Sequence, residues 1–213
     1  MSQFWEELLG YFDSGGIVMP PLAISTIILW YALGYRYMVL QRGNRRSPRI
    51  LVKRYIQGYN REPSGIVDTA ITMGITILCD NPKHRKDLRH LLDDSFSPIE
   101  LSLYRGKALI KSIVSVAPLA GLLGTVIGMI ETFDSLGDGA LYSQSGGIAG
   151  GISQALFTTQ MGLAVAVPGI VVGRILDRKQ QRLQHELVQI KDLLCAEAEA
   201  VGASRLPQPE PKQ

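Results

Sequence analysis

The residues of this 213-residue chain that could do chemistry stand out by their surroundings. In an apolar run from about Ile148 to Ile175, Ser153, Gln154, Thr158 and Thr159 place hydroxyl and amide groups among aliphatic side chains, with Gly162 one turn past Thr158 and Pro168 further on. A second apolar run carries Thr125 among Pro118, Gly121, Gly124 and Gly128. Threonine in an apolar helix can simply return a hydrogen bond to the carbonyl one turn back. Alternatively it can line a path for water or a small cation, and two adjacent threonines with Gln154 and Ser153 favour that path. What is missing limits the chemistry further. Between Ser112 and Ile130, and between Leu141 and Gly173, there is no Asp, Glu, His, Lys or Arg. Hydroxyls and amides do not take up and release protons at ordinary pH. A proton relay through these helices therefore needs a titratable group from a partner helix.

The small residues at 117, 121, 124, 125 and 128, with Gly124 and Gly128 forming a GxxxG pair, mark a surface where another helix comes close. That helix can belong to a partner or to the same chain.

Three elements must position these groups. Lys and Arg are absent from Met1–Tyr35 and from Ser112–Gly173, although the chain holds 22 of them. The runs Ile17–Tyr35, Ile113–Ile130 and Ile148–Ile175 each approach or exceed the roughly 20 residues that cross a bilayer. The expected fold is an all-α membrane protein with three transmembrane helices, two of them extending far into the cytoplasm. The expected spans are 17–39, 108–133 and 148–175, with a 134–147 loop outside and a 176–200 helical extension inside. The loop between the first two spans is rich in Lys and Arg and the link between the last two has none, so the positive-inside rule puts the N-terminus outside and the C-terminus in the cytoplasm. The first span lacks a basic n-region and is expected to stay in the mature protein.

Phe4, Trp5, Leu8, Leu9 and Phe12 lie opposite Glu6, Glu7 and Asp13, which suits an amphipathic helix over 1–16 on the outer surface or an extension of the first span. Residues 40–107 suggest a small cytoplasmic helical domain. One helix shows Ile66, Ala70, Met73 and Ile77, another shows Leu88, Leu91 and Leu92, and a break falls near Asn81-Pro82. Its start carries Arg42, Arg45, Arg46 and Arg49, which suit contact with anionic phospholipid or a solvated flank. Pro98-Ile99-Glu100 reads as the start of the second long helix, with proline in its first turn. Leu183, Leu187, Ile190 and Leu194 repeat along one face of the third, and 201–213 reads as a disordered tail. There is no metal-ligand cluster, nucleophile with a nearby base or phosphate-binding loop, so neither an enzyme nor a cofactor is expected.

The Ala117–Ile130 segment, Ala-Pro-Leu-Ala-Gly-Leu-Leu-Gly-Thr-Val-Ile-Gly-Met-Ile, is followed by Gly151–Pro168, Gly-Ile-Ser-Gln-Ala-Leu-Phe-Thr-Thr-Gln-Met-Gly-Leu-Ala-Val-Ala-Val-Pro. Together they closely resemble the membrane core of the ExbB/TolQ/MotA family, and three spans rather than four favour an ExbB-like member. The resemblance implies a homopentameric ring in the inner membrane of a Gram-negative bacterium. Within the ring would sit single-span subunits of the ExbD/TolR type, each supplying a membrane aspartate, and work would pass to a TonB-like transducer for outer-membrane transport. It matches Thr125 and Thr159 to the family's two pore threonines and sets Gln154 where a glutamate is usual. A TolQ-like or motility stator subunit, or a non-conducting scaffold, are the alternatives.

Overall fold

The computed structural model describes residues 15–43, 47–56, 65–80, 88–137 and 145–200. The amphipathic segment around Phe4–Phe12, Arg45 and Arg46, the break at Asn81-Pro82, residues 138–144 of the expected 134–147 loop and the tail lie outside the described residues. Every regular element described is helical. A 3-10 turn, Gly16–Val18, leads into α1, Met19–Val39. Then come α2, Pro48–Ile56; α3, Ile66–Asp80; α4, Leu88–Tyr104; α5, Lys107–Gly137; and α6, Ser145–Ala200. Three helical stretches, Gly16–Val39, Leu88–Leu136 and Gly147–Ala198, contain windows long and apolar enough to cross a membrane. At 56 residues α6 is more than twice as long as a bilayer requires. The chain divides into two compact units, one from Met1–Tyr35 and Gly106–Arg174, the other from Arg36–Arg105 and Ile175–Gln213.

In the first unit much of the outward surface is apolar. Ile24, Ile27, Leu119, Leu122, Leu123, Val126, Leu156, Leu163, Val167 and Val171 are all exposed. A water-soluble protein does not present so continuous an apolar surface, but a helix bundle in lipid does. The three helices meet at Gly169 of α6, where a Cβ would lie 2.6 Å from Val114 of α5 and 3.0 Å from Leu29 of α1. Pro20 and Pro21 fit the first turn of α1, where an N–H has no intrahelical acceptor.

The second unit has a conventional core. Leu176, Leu183, Leu187, Ile190 and Leu194 of α6 are buried with Leu51 and Val52 of α2, Val67, Ala70, Ile71 and Leu78 of α3, and Leu88, Leu92, Phe96 and Leu103 of α4. Two details differ from the sequence pattern. The α3 stripe is turned by one residue, so Met73 is exposed and Val67, Ile71, Gly74 and Leu78 face inward. Thr69, Thr72 and Thr76 share the exposed face of α3, and the buried stripe lies opposite them. Within that stripe Gly74 admits Leu194, Phe96 and Leu92, all close to where its Cβ would stand. Pro98, expected in the first turn of a long helix, instead lies inside α4. The chain breaks later, at Gly106, whose φ of 76° is left-handed and ends one helix before Lys107 starts the next.

Candidate functional site

Helices α5 and α6 run antiparallel and nearly touch along the glycine stripe. A Cβ on Gly128 would meet Gly151 O and Ala155, one on Gly124 would overlap the Thr158 side chain, and one on Gly121 would lie 3.0 Å from Thr158 O and 3.2 Å from Thr159 Cα. Gly162 completes the ladder, 2.7 Å from Ala117 O when a Cβ is added. The surface marked by Gly121, Gly124, Gly128 and Gly162 is thus occupied by the chain's own helix pair. Such backbone approach is how helices associate where lipid removes the hydrophobic drive. Pro118 and Pro168 lie half-buried along the same pair.

This contact separates the polar residues. Thr158 is fully buried, and its hydroxyl hydrogen is directed to the carbonyls of Gln154 (3.1 Å) and Ala155 (3.0 Å). Thr125 and Thr159 are only half-buried. Thr125 donates to Leu122 O at 2.7 Å, and Thr159 donates to Ala155 O at 3.1 Å with Gly121 O at 3.5 Å. Because both protons go to backbone carbonyls, these hydroxyl oxygens turn only lone pairs toward their open side. They are acceptors, suited to a water chain carrying a proton or to a small cation.

Ser153 and Gln154 are half-buried at the next turn of α6. Gln154 Nε2 donates to Glu131 Oε1 at 3.2 Å. Glu131, which falls near the end of the expected 108–133 span and is not among the expected site residues, is part of α5, Lys107–Gly137. The overlooked signal is its spacing of three from Gly128 and seven from Gly124, which puts it on the stripe's own face.

In the second unit Arg42 Nε pairs with Glu186 Oε2 at 2.7 Å, so its guanidinium is engaged by α6. Arg49 is exposed on α2 and lines a cleft with Ile50, Val52, Lys53, Leu193 and Glu197. Arg45 and Arg46 fall outside the described residues. Among the described residues no three His, Cys, Asp or Glu side chains converge as metal ligands would.

Known proteins place this helix pair. The sequence profile of the MotA/TolQ/ExbB proton channel family matches residues 63–189. The chain is 28% identical over 174 residues to the putative biopolymer transport protein ExbB-like 3 of Synechocystis sp., covering 76% of this chain and 81% of that one. It is 29% identical over 179 residues to the putative ExbB homolog of Methanothermobacter thermautotrophicus, covering 77% and 61% respectively. It is 30% identical over 118 residues to the biopolymer transport protein ExbB of Aquifex aeolicus, covering 54% and 79%. With its glycine-packed α5–α6 pair inside the matched region, this chain belongs to the MotA/TolQ/ExbB proton channel family, as an ExbB-like membrane transport protein.

Proposed function

We propose that this chain is the ring-forming subunit of an ion-driven motor that energises transport across the outer membrane. Five copies enclose single-span partners of the ExbD/TolR type, and each partner brings an aspartate into a bundle whose own spans carry no charge from Ser112 to Ile130 or from Leu141 to Gly173. The N-terminus lies outside the inner membrane and the C-terminus in the cytoplasm, into which α4 and the second half of α6 extend. Work passes to a TonB-like transducer. The observation that carries this reading is the pair of half-buried hydroxyls, Thr125 and Thr159, on two tightly packed helices, with their protons bonded to backbone and their oxygens available. One charge falling through about 100 mV releases about 2.3 kcal/mol, enough to bias a modest conformational step.

The test replaces Thr125 or Thr159 with Val, which matches threonine in shape and removes the oxygen. The complex should assemble with its partner as before and lose gradient-dependent work. Retention of full work in both variants would leave only a scaffold role.

A further inference from the structure

We infer that Glu131, held across the helix contact by Gln154, is where this chain first takes up the monovalent cation that drives the complex. The inference rests on the motor reading above and gives that reading its entry point, at the outward end of α5.

Three observations converge. Glu131 follows the charge-free segment of α5, about 30 Å of helix counted from Lys111, so it stands at one end of the span. Its Oε1 accepts a hydrogen bond from Gln154 of the facing helix at 3.2 Å. The amide of Gln154 is confined on another side by Gly16, whose φ of 58° is left-handed and where any Cβ would collide with Nε2. Parts of the 3-10 turn, α5 and α6 therefore come together at this one amide.

The surroundings leave Glu131 little competition. Helix α6 supplies no Asp, Glu, His, Lys or Arg from Ser145 to Gly173, and the turn Gly16–Val18 and α1 supply none before Arg36. Asp134, one turn further along α5 and exposed, is the other charged group at this end among the described residues. The amide fixes one carboxylate oxygen and leaves the second open. Glu131 is exposed, so that oxygen can bind a proton, giving a neutral acid that keeps the Gln154 bond, or it can contact a hydrated sodium ion. Thr125 lies six residues from Glu131 and Thr159 five residues from Gln154, so both hydroxyls stand about 8 to 9 Å deeper along the helices. Counted at about 100° per residue, both threonines lie on the other edge of the glycine-packed contact from Glu131 and Gln154.

The experiment uses the chain purified with its single-span partner and reconstituted in liposomes. Proton entry is read with a pH-sensitive dye and sodium entry with a radioactive tracer, each under an imposed gradient. Glu131→Gln keeps the shape of the side chain and its bond to Gln154. It should leave the complex intact by size-exclusion chromatography and lower flux of the coupling ion by about tenfold or more. The exchange Glu131→Gln with Gln154→Glu moves the carboxylate across the hydrogen bond and should restore most of the flux. The arm that responds, proton or sodium, identifies the ion. Wild-type flux in Glu131→Gln overturns the inference, and so does a loss that the exchange leaves unrelieved. A wild-type complex that passes neither ion defeats the motor reading itself.

Discussion

Gly124 and Thr158 occupy the same point of the α5–α6 contact, so closely that a Cβ on the glycine would overlap the threonine side chain. Thr158 is fully buried and has nowhere to turn. Gly124→Ala should therefore force the helices apart and cost about 1–3 kcal/mol, as overpacking does. Adding Thr158→Gly moves the bulk from one helix to the other and should recover most of the loss. Thermal unfolding in detergent measures both, and an unaffected Gly124→Ala would show that the contact is looser than described.

The same contact ranks the threonines. Thr158 has its hydroxyl on backbone carbonyls inside the pair, whereas Thr125 and Thr159 keep an open side. Thr158→Val, equal in shape, should retain most ion-driven work, and Thr159→Val should lose it. Side-by-side flux measurements in liposomes check the ranking. Equal losses would mean that the threonines act through packing alone.

Arg36, 1% exposed at the end of α1, donates from Nη2 to Asp177 Oδ1 at 2.7 Å and to Gln180 Oε1 at 2.6 Å. Removing one partner of a buried ion pair strands the other, at a typical cost of about 3–5 kcal/mol. The Asp177 side chain is 40% exposed and remains hydrated, so Arg36→Leu should cost about 2–3 kcal/mol. Both bonds leave one nitrogen, Nη2, so Arg36→Lys keeps the charge but must reach both oxygens from a shorter side chain and should recover only part of the loss. Melting temperatures of the two variants in detergent decide it, and identical values would show that the retained charge contributes nothing.

These residues also show how much of the fold was legible in the sequence. The charge gaps marked the apolar spans because hydrocarbon tolerates few charges, and the Leu183, Leu187, Ile190, Leu194 stripe appeared because the other face of that helix segment is polar. The orientation of α3 had a signal in Thr69, Thr72 and Thr76, which share its exposed face, but threonine is weakly polar and the close packing of Gly74 against Leu194 is visible only in the structure. The break at Gly106 had its signal, a glycine directly after a helical run. Pro98 drew attention instead, because a proline usually opens a helix rather than lying within it. Glu131 does not stand out in the sequence, because an acid at the end of an apolar run looks like the edge of a span. Only its spacing from Gly124 and Gly128 ties it to Gln154, and the partner helix had to be in place for that spacing to mean anything.

Lys191 supplies a test by pH. Its side chain, 11% exposed, donates to Asp93 Oδ1 at 2.6 Å and Glu100 Oε1 at 3.0 Å beside the Phe96 ring. Burial alone would lower its pKa, but the hydrogen bonds and charges of Asp93 and Glu100 outweigh it and hold the ammonium above the ordinary lysine value. The hydrogen bond from Lys191 holds Asp93 below the usual aspartate value, against a smaller opposing effect of desolvation. The stabilisation linked to Asp93 is therefore complete above about pH 4 and fades as pH falls through the lowered folded value. That linked to Lys191 is complete below about pH 10 and fades as pH rises through the raised one. Lys191→Met should cost about 1–2 kcal/mol, less than a fully buried pair because both carboxylates reach solvent. The gap in melting temperature between wild type and Lys191→Met should stay constant from about pH 5 to about pH 9 and narrow on the acid side. A gap that closes near neutrality would mean that a histidine, not this lysine and its two carboxylates, governs the stability of the α4–α6 contact.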